Sequence, residues 1–79
     1  MAPEIREIRI DRISPNYRLV FDEDVIYGLC GDILSRGLQE PITVGLVEYH
    51  FEIIDGEKRW RACKKIGRRT IRAVVVEEW

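Results

Sequence analysis

Asp55-Gly56-Glu57-Lys58-Arg59-Trp60-Arg61-Ala62-Cys63-Lys64-Lys65-Ile66 is the stretch whose reading decides the fold. Residues 51–54 before it are a short apolar, β-branched run, which reads as a strand. The chain then turns into a segment loaded with charge. Asp55 is a good N-cap, so a helix is expected to begin at Gly56. Gly67 is expected to close it as the left-handed residue after the last turn. At about 100° per residue, Ala62, Cys63 and Ile66 share one stripe, with Arg59 at its N-terminal end. Lys58, Arg61, Lys64, Lys65 and Arg68 spread over the other side. Trp60 lies at the border and is expected to be at least half buried.

A guanidinium beside the free N–H groups of a helix start offers a place for an anion such as a phosphate. Gly56, having no Cβ, would let a ligand approach the backbone. The other reading pairs Arg59 with one of the fourteen acidic residues, so that it only ties the helix down. The spacing alone leaves both open.

Working outward, 79 residues make one small domain, residues 1–79, near the lower limit for a core without staples. With 34% charged and 46% hydrophobic residues, the composition fits neither a disordered nor a membrane chain. No apolar run approaches the roughly 20 residues of a membrane span, and no signal-peptide pattern follows Met1. The expectation is a cytoplasmic protein without a membrane partner. Cys30 and Cys63 each fall on the apolar side of an expected helix, and the lack of a secretion signal favours thiols. His50 is the single histidine, so no zinc ligand set is in view and no metal site is assigned.

The net charge of −1 conceals an uneven distribution. Residues 58–72 hold Lys58, Arg59, Arg61, Lys64, Lys65, Arg68, Arg69 and Arg72 and no acid. Such a run is either a solvated face or a footprint for a phosphate backbone.

The remaining segments complete the pattern. Residues 4–10 alternate as a half-buried strand, and Ser14-Pro15-Asn16 signals a turn. Asp22 caps a first helix, Glu23 and Asp24 suit its positive end, and Phe21 staples onto Ile26. Its expected buried stripe is Val25, Ile26, Leu29, Cys30, Ile33 and Leu34, and Gly37 ends it. Gly28 and Gly31 each cost roughly 1 kcal/mol against alanine inside a helix, which points to tight packing or local looseness. Residues 42–47 and 51–54 form a hairpin around Glu48-Tyr49-His50, and residues 70–76 a β-branched interior strand. The fold class is α+β in the order β-α-β-β-α-β, a mixed sheet packed by two helices.

Gly56-Glu57-Lys58-Arg59-Trp60-Arg61-Ala62 resembles the Gly-Glu-Arg-Arg-Trp/Tyr-Arg-Ala box of the ParB N-terminal domain, in the ParB/sulfiredoxin-like superfamily. Pro15-Asn16 with Phe21-Asp22-Glu23 agrees in order, as does Gly37-Leu38-Gln39-Glu40-Pro41-Ile42-Thr43-Val44. The resemblance spans residues 8–76. It implies a ParB/sulfiredoxin-like fold in a stand-alone domain, without the helix-turn-helix that follows it in partition ParB proteins. In those proteins the domain binds a cytidine nucleotide. By resemblance, Gly56, Glu57, Lys58 and Arg59 would hold phosphates, Arg18 would add a contact, and Gly37, Gln39, Pro41 and Ile42 would border the base. The segment between Pro15-Asn16 and Phe21 is shorter than in typical ParB proteins and lacks their usual glutamine and proline. Sulfiredoxins carry a nucleophilic cysteine directly after the box glycine; here that position is Glu57, which implies that the chain is not a sulfiredoxin.

The leading expectation is therefore a module that binds nucleotide phosphate and DNA, with Arg61, Lys64, Lys65, Arg68 and Arg69 adding DNA contacts. The implied cofactor is a nucleoside triphosphate, CTP or ATP, with Mg2+. A homodimer through a sheet edge is compatible with this reading. The alternative is a ParB-like nuclease or nucleotide-dependent phosphotransferase, with Glu57 as the candidate catalytic carboxylate. A third reading is an interaction domain that kept only the fold.

Overall fold

The computed structural model describes residues 4–15 and 22–77. The order of elements is β1 (Ile5–Arg9), a 3-10 turn (Ile10–Arg12), β2 (Ile13–Ser14), α1 (Glu23–Arg36), β3 (Ile42–Val47), β4 (His50–Asp55), α2 (Glu57–Lys65) and β5 (Thr70–Val76). The expected order is present, with β2 as an addition.

The β-branched run of β5 takes an interior place in a five-stranded sheet ordered β1-β5-β3-β4-β2. It pairs antiparallel with β1, Ile8 opposite Ile71, and parallel with β3, Ile42 beside Ala73. Because side chains alternate across a strand, this register puts Ile8, Ile71, Ala73, Ile42 and Val44 on one face. All five are buried, in one core with Ile26, Cys30 and Ile33 of α1 and Trp60, Ala62 and Cys63 of α2. Both helices therefore cover the same face.

The edge opposite β1 departs from the expectation. Ile10 does not continue the first strand; the 3-10 turn redirects the chain so that Ile13 and Ser14 pair parallel with Phe51 and Glu52 of β4. Burying Ile8, Ile10 and Ile13 together requires this break, since a continuous strand would turn Ile13 to the opposite face from the other two.

α1 begins as expected. The Asp22 carboxylate accepts the Asp24 N–H at 2.8 Å, and Glu23 and Asp24 occupy the first turn. Gly37, at φ 79°, closes it by donating its N–H to the Ile33 carbonyl at 2.7 Å. Phe21 and its staple lie outside the described residues. The buried stripe is narrower than expected: Ile26, Cys30 and Ile33 are buried and Leu29 partly, whereas Val25 and Leu34 are exposed. Val25 and Leu34 lie about 180° apart around the helix, on opposite edges of that stripe, so only its central line meets the core. Of the two accounts offered for Gly28 and Gly31, close packing finds no support, because among the described residues a Cβ at either would meet nothing within 4 Å.

Two corrections concern the joint between β4 and α2. Asp55 is not the N-cap; it ends β4, paired with Thr43 beside a register shift. Gly56 is not the first helical residue but the N-cap itself, at φ 103° and ψ 24°. A Cβ there would lie 2.6 Å from Ile42 Cγ2, so a positive φ and the approach of Ile42 are enough to require glycine here. The hairpin is also tighter than expected: Val47 pairs with His50, leaving Glu48-Tyr49 as the turn, with Glu48 at φ 53°. Gly67, at φ 84°, does follow α2, and the Arg68 and Gly67 N–H groups reach the Cys63 and Lys64 carbonyls at 3.0 and 3.1 Å.

Candidate functional site

The start of α2 abuts the chain entering β3, and this junction gathers most of the residues singled out in the sequence. Gly56 lies against Ile42, which is fully buried. One terminal nitrogen of Arg59, Nη1, donates to the Pro41 carbonyl at 3.0 Å and to the Glu40 carbonyl at 3.2 Å. Its Nη2 donates to Asp55 Oδ2 at 3.4 Å, and the Glu40 carboxylate stands 3.7 Å from Nη1. The guanidinium is thus a clasp that fixes residues 40–41 to the helix start, and its side chain is only 22% exposed. Of the two roles left open for Arg59, the geometry realises the tie, chiefly through backbone carbonyls. A guanidinium has five N–H donors, so two remain after these three bonds.

The helix start differs from that of α1. Gly56 brings no side chain to cap α2, while its carbonyl accepts the Trp60 N–H at 3.0 Å. The positive end of the helix therefore has no N-cap side-chain oxygen upon it. Lys58 is exposed at this end. Glu57, the candidate catalytic carboxylate, is buried at 5% exposure and accepts the Arg61 Nε–H at 3.1 Å. That position suits a carboxylate at a helix N-terminus held by an arginine one turn later.

Gly37 and Gln39 lie farther along the connecting loop. The Gln39 side-chain amide donates to the Arg36 and Gly37 carbonyls at 2.8 and 3.4 Å, finishing the end of α1. Arg18 lies outside the described residues.

The cations of α2 have partners of their own. Lys65 Nζ is 3.0 Å from the Glu23 carboxylate and 4.7 Å from the centre of the Tyr27 ring. The hydrogen bond to Glu23 holds the Lys65 ammonium above its usual pKa. Lys64 Nζ stands 5.1 Å over the Trp60 ring, and Trp60 is buried as expected. Arg68 and Arg69 are exposed beyond the helix end. The Glu57–Arg61 and Asp55–Arg59 contacts were visible as i, i+4 spacings; the Arg59 clasp on carbonyls and the Glu23–Lys65 bridge had no local signal.

Cys30 and Cys63 are free, buried thiols between the two helices, with Cys30 Sγ donating to the Ala62 carbonyl at 3.6 Å. Burial pushes the Cys63 thiol pKa up; Arg68 opposes that and Cys30 adds to it. Among the described residues, no group of three or more His, Cys, Asp and Glu side chains is placed to hold a metal ion. No described helix is long and apolar enough to cross a membrane.

This arrangement can be set beside known proteins. A family model described as the ParB N-terminal domain matches residues 2–78. The chain belongs to the ParB N-terminal domain family. It is 42% identical over 76 residues to a nucleoid occlusion protein of Geobacillus sp. (strain WCH70), over 91% of this chain and 27% of that protein. The chain thus spans about a quarter of the length of the curated relatives it matches. Among solved structures, it resembles the C-terminally truncated chromosome-partitioning protein ParB of Caulobacter crescentus complexed with CTP-gamma-S. The TM-score is 0.84 at 30% identity, over 94% of this chain and 44% of that one. The same Caulobacter protein complexed to the centromeric parS site gives a TM-score of 0.81 at 31% identity, over 91% and 40%. Sulfiredoxin of Arabidopsis thaliana gives 0.86 at 28% identity, over 95% and 86%. This ParB N-terminal domain has Glu57 directly after the box glycine, and its thiols are enclosed between helices.

Proposed function

We propose that this ParB N-terminal domain binds a nucleoside triphosphate through its phosphates at the start of α2 and binds DNA through the cations of residues 58–72. The observation that carries the reading is a helix start without a side-chain cap, held by Arg59 against residues 40–41. The Caulobacter relative complexed with CTP-gamma-S and with parS supports both halves. In this reading the Glu57, Lys58 and Arg59 backbone and the two remaining Arg59 donors meet phosphate oxygens. Gly37, Gln39 and Pro41 border the base and Arg18 adds a phosphate contact, whereas Ile42, expected there too, has no exposed surface and backs the α2 start instead. Mg2+ would arrive on the phosphates, since that ion usually keeps its waters and takes few protein carboxylates. The buried pairing of Glu57 with Arg61 favours a packing role over a catalytic one. With no cysteine after the box glycine, sulfiredoxin chemistry is not proposed.

The test is calorimetric titration with CTP, ATP and ADP, with and without Mg2+. Saturable binding of a triphosphate is expected, weakened at least tenfold in Arg59→Ala. The Arg59→Lys variant keeps the charge but loses the forked hold on two carbonyls, and should also bind more weakly. A folded Arg59→Ala protein that binds as tightly as the parent would refute the site. A homodimer and a cytoplasmic location belong to the same reading; sedimentation equilibrium with and without nucleotide tests the first, and cell fractionation the second.

A further inference from the structure

The cations of residues 58–72 divide into two populations. Arg59, Arg61 and Lys65 are engaged with carboxylates or carbonyls, Lys64 with the Trp60 ring, and Lys58 has a partner as well. Arg68, Arg69 and Arg72 are exposed, and among the described residues none of the three forms an ion pair. They come from the turn after α2 and the first residues of β5, where β1 sets Arg9 opposite Thr70 and Glu7 opposite Arg72.

Two open clefts meet at this ridge. One, of about 630 Å³, is lined by Arg9, Asp11, Arg68 and Arg69. The other, of about 340 Å³, is lined by Glu7, Arg68, Arg69 and Arg72 together with Gly37 and Leu38 at the end of α1. Asp11 is paired with Arg9 at 2.7 Å, so four arginines against two carboxylates leave a local excess of two positive charges on a chain whose net charge is −1.

A purely structural role for these arginines would be to satisfy the last carbonyls of α2. Three of the last four are already engaged: Ala62, Cys63 and Lys64 accept the N–H groups of Ile66, Arg68 and Gly67 at 3.0, 3.0 and 3.1 Å. The ridge backbone is also fixed from the other side, Ile10 donating its N–H to the Arg69 carbonyl at 2.8 Å. The arginine side chains thus project from a braced backbone.

We infer that this ridge, separated from the α2 start by the length of a nine-residue helix, is a second anion site that seats the phosphodiester backbone of duplex DNA. Nine residues at 1.5 Å each place about 14 Å between the two ends. The inference rests on the DNA half of the proposed function and assigns it a place. The ligand chemistry is a set of closely spaced phosphates, which either a polynucleotide or a free polyphosphate supplies. Two open clefts flanking a ridge suit a ligand that passes over it.

The experiment measures fluorescence anisotropy of a labelled 20-base-pair duplex on the full chain over a range of salt concentrations. The variants are Arg68→Ala/Arg69→Ala/Arg72→Ala and, for comparison, Lys64→Ala/Lys65→Ala. Each neutralised phosphate contributes a slope of about −0.9 to log affinity against log salt, so the triple variant should lose about 2.7 of that slope and at least tenfold in affinity at low salt. The lysine pair, engaged with Glu23 and the aromatic rings, should lose less than half as much. If the triple variant fails to fold by circular dichroism, the single changes Arg69→Ala and Arg72→Ala should each lower the slope by about 0.9. A parent-like slope in folded ridge variants, with the lysine pair losing it instead, overturns the ridge while leaving DNA binding in place. A parent chain that binds no duplex at low salt overturns both. Tripolyphosphate that binds the parent as tightly as the duplex, and loses that affinity in the ridge variants, assigns the ridge to a small anion and overturns the backbone assignment. CTP affinity should fall far less in the triple variant than in Arg59→Ala, because the α2 start is untouched even though Gly37, placed beside the base, also lines the second cleft.

Discussion

Replacing Gly56 by alanine should destabilise the domain more than alanine at Gly28, Gly31, Gly37 or Gly67. Two costs act together. The backbone sits at φ 103°, where an L-residue is disfavoured by about 1–2 kcal/mol. The new Cβ would also fall 2.6 Å from Ile42 Cγ2, 2.8 Å from Ile42 Cβ and 3.2 Å from its Cα, a collision with a fully buried neighbour and its backbone. Overpacking of that kind costs about 1–3 kcal/mol, for a total of about 2–5 kcal/mol. At about 0.05–0.15 kcal/mol per residue, 79 residues give a stability of about 4–12 kcal/mol, so the loss is a large share of the whole. Gly67→Ala separates the two costs, since Gly67 has φ 84° and open space where a Cβ would go. It should lose only the backbone part, about 1–2 kcal/mol. Urea unfolding of both variants, at a common m value, measures the difference, expected at about 1–3 kcal/mol. A difference below about 0.5 kcal/mol would show that Ile42 and the α2 start are not packed as described. CTP affinity should fall with stability in Gly56→Ala and not in Gly67→Ala.

Gly28→Ala and Gly31→Ala should each raise stability by about 1 kcal/mol, because a methyl at either meets open space on an ordinary helical backbone; a loss in urea unfolding would reveal a contact there. Glu57→Gln should cost about 1–3 kcal/mol by removing the buried charge that holds Arg61. Unchanged stability with lost nucleotide binding would instead place Glu57 in the ligand site. Stability should fall at alkaline pH: Cys63 and Lys65 both have folded pKa values above their ordinary 9.0 and 10.5, so the folded chain holds protons that the unfolded chain releases. The contribution is full below the ordinary values and disappears as pH rises through the folded ones; denaturant midpoints from pH 8 to 11 check it, and a Cys63→Ala/Glu23→Gln variant should flatten the fall.

The parts of the fold legible in the sequence are those whose causes are local. Asp22, Glu23 and Asp24 sit next to the N–H groups they serve, Gly37 and Gly67 end their own helices, and the run 70–76 carries its own strand preference. What stayed hidden depends on distant partners. β2 has two residues and no period to detect; it exists because Ile13 finds Phe51 across the sheet. Val25 and Leu34 belong to the apolar pattern of α1, but they lie on its two opposite edges, and the packing of the rest of the fold decides how wide a stripe is covered.

The same distinction bears on the site. The 3.6-residue period correctly placed Arg59 on the inner side of α2, yet gave no sign that Glu40 and Pro41 carbonyls, nineteen and eighteen residues earlier, would be its partners. Nor did counting charges in residues 58–72 show which of them are neutralised within the fold. Folding engages the cations that face α1 or the β3 entrance and leaves those beyond the helix end. Out of a run of eight basic residues two separable features emerge, the Arg59 clasp that shapes the α2 start and the ridge of Arg68, Arg69 and Arg72 at the other end of the helix, while the other four are engaged within the fold. Removing the ridge should therefore change the salt dependence of DNA binding with far less effect on CTP affinity than removing the clasp has, whereas removing the clasp should lower CTP affinity and leave the salt slope near that of the parent.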